Sequence, residues 1–482
     1  MYKNRFVKLL KTFSEQDLKE FERFLHSPYH NRSQQCIDVF DALLHYLTKE
    51  RVEALSKAAL CDKIFKDTKK VNTLEVVLSK LTRLAEEFIV LEHLDRKPYM
   101  KKHLLLEELL ERQNLEYFKN TVNPAIDKHE RTERRGGQFY FERYLLSNNR
   151  YKYAMLRNER DAWQNLKETT RALDEFYLIE RLKLSYETIS FKKLYPVSQD
   201  DIEIYPTEEL LKLTDIKKNP IVALQHTMLL TIRDEEERYF EELLNLLDKY
   251  YLNIPKDELL SLYSIMTNFC VRKIVGGHTN YTKTLFVIYQ KQAEQSVLSH
   301  GKYISSQLIK NIVSMGAQAG EFDWTEEFLE SHTNYIRPEI RNNVYHFNKG
   351  ALAFYKKDFK AAMDHLNKTD KMDLSFELGR KTVLLRTYYE LDESLAFDAL
   401  CKSFKEYVHS QKGMPVRLKK AYVNFAIVLR KIDGLRRSKD SEKIKNLLEK
   451  INKYEYLTNK PWLIEKLKEL PVYKRMLAMA GE

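Results

Sequence analysis

Apolar residues recur along this chain in alternating steps of three and four. Leu74, Val77, Leu81, Leu84, Phe88 and Leu91 follow one such run, Leu418, Tyr422, Phe425, Leu429 and Ile432 a second, and Ile444, Leu447, Ile451 and Tyr454 a third. That spacing lays one apolar stripe along a single helix face, which must be buried against a neighbour. Between periodic segments stand Pro28, Pro98, Pro124, Pro196, Pro206, Pro220, Pro255, Pro338, Pro415, Pro461 and Pro471. Proline is excluded from helix interiors, so each predicts a helix boundary. "LYPVSQDDIEIYP" (194–206) reads as the longest loop, with "VGGH" (275–278) and "QKGMP" (411–415) as shorter breaks. "FSEQDL" predicts a helix start, with Ser14 capping and Asp17 answering it as the carboxylate of a capping box.

The segments "GEFDWTEEFL" (320–329), "KDFKAAMDHL" (357–366) and "LDESLAFDAL" (391–400) align on one another. Phe322, Phe359 and Glu393 share one column, Thr325, Ala362 and Ala396 the next, and Leu329, Leu366 and Leu400 the third. The offsets of 37 and 34 residues bracket the period of about 34 expected for tetratricopeptide-type helix pairs. Small residues in the middle column let two helices approach, and the aromatic and leucine columns fill the space between pairs. The pattern resembles a degenerate tetratricopeptide array, strongest over 306–410, with Glu393 departing from the aromatic column and Thr325 from the small one. It implies an all-α solenoid of stacked antiparallel helix pairs. The organisation expected is an N-terminal helical module over 1–105, a helical array with blurred repeats over 106–300, tetratricopeptide-like repeats over 301–410 and a basic helical cap over 411–482.

Composition supports the helical reading. Gly (12) and Pro (11) are scarce in 482 residues, whereas turn-rich β folds consume both. With 43% hydrophobic and 31% charged residues there is material for a core and no signature of disorder. "MYKNRFVKLLKTFSEQ" lacks the apolar stretch of a secretory signal. The longest apolar window, "IVALQHTMLLTI", is too short to span a bilayer, so no membrane partner is expected. Cys36, Cys61, Cys270 and Cys401 are widely spaced, which fits buried thiols in a reduced, cytoplasmic compartment.

"FERFLHSPYHN", "RALDEFYLIERLKLSYE", "FCVRKI", "GEFDWTEEFLE" and "KPWLIEKLKEL" occur in this order. Together they resemble an uncharacterised family of helical-repeat proteins from Bacteroidetes-type bacteria, over nearly the whole chain. The resemblance implies an all-α, solenoid-like, cytoplasmic protein and carries no catalytic or ligand residues to transfer.

Candidate chemistry changes the picture little. There is no HExxH, HxH or Cys/His cluster. His26 and His30 have the spacing of a helical ligand pair, but Pro28 separates them. No GxxxxGK[ST], GxGxxG or GxSxG motif occurs. No catalysis, metal or cofactor is therefore expected. Two binding readings follow. In the first, the array is a scaffold that holds a protein or peptide on its concave side, lined by Asn348, Tyr355, Lys381 and Tyr388. The second concerns nucleic acid. Residues 401–482 carry 20 Lys/Arg against 9 Asp/Glu, so the whole net charge of +11 resides there. Arg430, Lys431, Arg436, Arg437, Lys439, Lys443 and Lys445 are its densest cluster, and Gly434 is expected to break the helix beside it. Residues 56–91 are loosely similar to the winged-helix heads of some transcriptional activators, with Lys69, Lys70, Lys80 and Arg83 placed to meet DNA. The scaffold leads; a nucleic-acid-associated transcriptional regulator is the alternative.

Overall fold

The computed structural model describes residues 4–47, 56–194, 211, 219–299, 301–370, 372–436 and 440–474. Among them all regular structure is helical and there is no strand, so the chain is all-α. None of its described helices is long and apolar enough to cross a membrane. Backbone contacts divide it into two compact units, Met1–Glu187 with Ser198–Gln225, and Thr188–Val197 with His226–Glu482.

The first unit opens with α1 (Arg5–Leu10), α2 (Glu15–His26), α3 (Gln34–Leu47), α4 (Lys57–Phe65) and α5 (Val71–Asp95). Ser14 and Asp17 form the expected capping box at α2: the Asp17 amide donates to Ser14 Oγ at 3.1 Å and the Ser14 amide to Asp17 Oδ2 at 2.9 Å. Phe21 lies at the centre of this core, 5.3 Å from the Phe40 ring and 5.4 Å from Phe88. On α5 the stripe Leu74, Val77, Leu81, Leu84 and Phe88 is buried as its spacing predicts, but Leu91 is exposed. The 25-residue α5 stands where the winged-helix resemblance places a recognition helix.

There follow α6 (Pro98–Glu111), α7 (Leu115–Glu130), α8 (Gly137–Leu156), the long α9 (Ala162–Leu194) and α10 (Pro220–Arg233), the last two running across the division between the units at Glu187 and Gln225. Leu106, Phe118, Val122, Leu146 and Tyr153 form a separate core from that of residues 6–88. Pro124 corrects one expected boundary: it lies inside α7, which continues through it. Its ring removes one amide donor, and the helix is held by Phe118, Val122 and Ala125 on its buried face. The loop expected at 194–206, with Pro196 and Pro206, lies outside the described residues beyond Leu194.

The second unit contains α11 (Glu237–Tyr250), α12 (Lys256–Val275), α13 (Tyr281–Glu294), α14 (Ser306–Ala319), α15 (Phe322–His332), α16 (Pro338–Tyr355), α17 (Phe359–Asn367), α18 (Leu374–Leu391), α19 (Ser394–Ser410), α20 (Val416–Leu435), α21 (Ser441–Lys453) and α22 (Lys460–Glu469). From α12 to α20 each helix packs on the next, and α14, α16 and α18 also pack on one another across the helix between them. The aligned segments begin α15, α17 and α19. Thr325 and Ala362 in the small column are fully buried, whereas Ala396 is half-buried. Two glycines 34 residues apart permit the close approaches. A Cβ on Gly316 would lie 2.1 Å from Thr325 Oγ1, and one on Gly350 would lie 2.7 Å from Leu366 Cγ and 3.1 Å from the Ala362 carbonyl oxygen.

The break expected beside Gly434 is present: Gly434 sits in the last turn of α20, which ends at Leu435, and α21 begins at Ser441. The final helix, α22, packs on α20 and α21 and carries Trp462 back to Tyr389 on α18 and Phe354 on α16.

Candidate functional site

α22 has apolar and polar residues at helical spacing on two adjoining faces. Leu463 and Leu467 are fully buried in a core shared with Phe425, Leu429 and Ile451. Trp462 and Lys466, one turn apart, face α18. The Trp462 ring lies 5.8 Å from Tyr389 and 6.3 Å from Phe354, and Lys466 Nζ is 2.8 Å from Glu390 Oε1. The strand of backbone that leads into the helix is pinned to α20: Asn424 Nδ2 donates to the Tyr456 carbonyl at 2.9 Å. One helix of the chain thus lies across α18 and α20 with an aromatic anchor, apolar contacts and a half-buried ion pair.

Under that helix lies Arg386, only 4% exposed. Its guanidinium carbon is 4.2 Å from the Phe354 ring centroid, 4.7 Å from Trp462 and 5.4 Å from Tyr355. Nη1 donates to Asn459 Oδ1 at 3.3 Å, and the buried Nε has no acceptor. Among the described residues no carboxylate lies within ion-pair distance of it. The other buried charges are neutralised: Glu377 by Arg380 at 3.0 Å, Glu175 by Arg143 at 2.7 Å and Arg171 at 3.2 Å. Burying a guanidinium without a counter-charge costs free energy that ring stacking and one neutral acceptor offset only in part.

The four residues expected on one concave face are distributed differently. Tyr355 borders Arg386. Lys381 lies on another flank of α18, with Nζ 5.3 Å from the Tyr407 ring of α19, and Tyr388 packs on the core shared by α18 and α19. Asn348 is fully buried and donates to the Val344 carbonyl at 2.7 Å, so its amide does not face solvent. Asparagine inside a helix can turn its amide to the preceding turn, which sequence spacing does not reveal. The residues that spacing missed are Arg386, Asn459 and Trp462. A tryptophan just after proline in "NKPW" was the available signal; nothing local distinguishes Arg386 from a surface arginine.

Much of the basic cluster is engaged with acids. Arg430 Nε is 3.2 Å from Asp398 Oδ1, and Lys443 Nζ 3.2 Å from Asp440 Oδ2. Arg436 pairs with Asp392 at 2.8 Å, donates to the Tyr389 carbonyl and stacks 3.7 Å over the Tyr389 ring. Lys431 and Lys445 are exposed, and Arg437 and Lys439 lie outside the described residues. Among the N-terminal candidates Lys69, Lys70 and Arg83 are exposed and Lys80 is half-exposed.

His26 ends α2, and His30 lies beyond it, its ring stacked 4.1 Å from Phe24, so the two do not share a helix face. Among the described residues no group of three or more His, Cys, Asp or Glu side chains converges. A pocket of about 540 Å³ between α6 and α8 is lined by Glu107, Leu110, Glu111, Tyr151, Lys152 and Met155, with Glu107 and Lys152 paired at 3.1 Å. It brings together no nucleophile and base. The chain matches no protein-family model, no curated protein and no solved structure.

Proposed function

We propose that the chain is a non-catalytic scaffold that binds a protein or peptide helix in a groove across α16, α18 and α20. The observation that carries this reading is α22: a short amphipathic helix of the chain itself is seated there by Trp462, Leu463 and Lys466. A surface that accommodates one helix by an aromatic anchor and apolar residues one turn apart has the chemistry of helix-in-groove recognition. The finer architecture belongs to the same proposal, a tetratricopeptide-like solenoid with its strongest repeats over 306–410. It is supported by the 34-residue spacing of Gly316 and Gly350 and by the packing of α14, α16 and α18 on one another. So do kinship with the Bacteroidetes-type helical-repeat family and a cytoplasmic location, the latter supported by four buried, free cysteines.

The test uses a labelled synthetic peptide of residues 454–474 and two forms of the full chain. In W462A the resident helix loses its anchor, so the added peptide should bind at least about tenfold tighter than to wild type, where the tethered helix competes. Circular dichroism should show W462A still strongly helical. No binding to a folded W462A chain would overturn the reading.

A nucleic-acid-associated regulator is the second reading. It rests on Lys69 and Lys70, exposed just before α5, and on Arg83, exposed midway along it. It requires affinity for DNA or RNA that falls steeply with salt and weakens in K69E/K70E. It is less supported at 430–445, where Arg430, Arg436 and Lys443 already meet carboxylates.

A further inference from the structure

Resting on the groove reading, we infer that Arg386 sets the specificity of that groove: it selects a helical segment carrying a carboxylate where the resident segment carries Asn459. The ligand class is an amphipathic peptide helix that opens with an acid and has an aromatic residue three positions on.

The resident helix leaves this arginine poorly answered. Asn459 offers one neutral oxygen at 3.3 Å, and the buried Nε donor has no partner at all. Guanidinium groups present paired donors that match a carboxylate, and charge-assisted bonds are roughly twice as strong as neutral ones. Aspartate has the shape of asparagine and would place a charged oxygen where the amide oxygen now stands. The backbone tolerates it: Asn459 has φ 54°, a left-handed conformation in which Asn and Asp are the favoured non-glycine residues. The remaining contacts suit the same ligand. The Phe354 and Tyr389 rings receive the aromatic residue. Glu390, now paired with Lys466, would receive a basic residue seven positions after the acid. Asparagine at 459 thus makes the resident helix a weaker occupant than an acidic competitor.

The experiment compares two peptides of residues 454–474, one native and one with N459D, against the full-length W462A chain and W462A/R386Q. The N459D peptide should bind about tenfold tighter to the chain with Arg386, and R386Q should remove most of that preference. Equal binding of the two peptides to the Arg386 chain overturns this inference and leaves the groove reading intact. Failure of both peptides to bind overturns the groove reading, and this inference with it. A second measurement is independent of peptide exchange. In the intact chain N459D should raise the melting midpoint of the C-terminal unit by about 3 °C. R386Q should cut that rise to the small part that an acid at the N-terminus of α22 supplies by itself, and a rise that R386Q leaves undiminished also overturns the inference. A midpoint unchanged or lowered by N459D overturns the inference.

Discussion

Glu326 on α15 shows how single side chains tie neighbouring helices. Lys349 of α16 meets it at 2.7 Å, and Lys356 bonds its other oxygen. Hydrogen bonds from Lys349 and then Lys356 hold the Glu326 carboxyl down to about 2. A carboxyl lowered in the folded state contributes stability above its unfolded value of about 4.3 and loses it as pH falls through the folded value. The melting difference between wild type and E326Q should therefore be largest near pH 6 and shrink toward about pH 2.5. The group is 40% exposed, so solvent screening keeps that difference to well under about 1 kcal/mol. Gly350 gives a larger effect. G350A adds a methyl 2.7 Å from Leu366 Cγ and 3.1 Å from a backbone oxygen, and only the leucine can yield. Overpacking of this kind costs about 1–3 kcal/mol, against a gain of up to about 1 kcal/mol in helix propensity. Urea unfolding should find G350A destabilised by about 1–2 kcal/mol.

At the scale of elements, the α16 and α17 pair carries an acid-sensitive contact. His346 and His365 face each other with Nδ1 atoms 3.0 Å apart, so one nitrogen donates and the other accepts. Burial pushes both imidazoles below the usual value, and His365 is pushed further by His346 and Lys368. Because the folded values are lowered, the pair contributes stability above about pH 6.5 that is lost as pH falls through the folded values. Hydrogen exchange in α17 should accelerate as pH falls below about 6.5, beyond its intrinsic pH dependence, and H365Q should remove that excess. The elements themselves were legible in the chain. Stripes such as Leu74 to Phe88 and Ile444 to Ile451 are buried where their spacing places them, because a helix period needs no tertiary information. Pro124 was misread because tertiary packing carries a helix through a residue that would end it in isolation. The site was far less legible. Tyr355 was reached by spacing, but Asn348 turns inward, and Arg386 acquires its character only from Phe354 and Trp462, which lie 32 and 76 residues away.

At the scale of the whole molecule, α22 within the second compact unit has two relations to the rest of the chain. It completes a core through Leu463 and Leu467, and it occupies the groove through Trp462 and Lys466. A helix held by both can be stable at rest and still yield to a better occupant, since a ligand shifts such an equilibrium by its differential affinity for the open form. The most direct measurement is amide hydrogen exchange over residues 460–469 of the wild-type chain, with and without a saturating, isotopically labelled N459D peptide of residues 454–474. The expected result is that bound peptide becomes protected while the chain's own 460–469 amides exchange faster. Peptide binding that leaves the resident helix as protected as before would contradict the account.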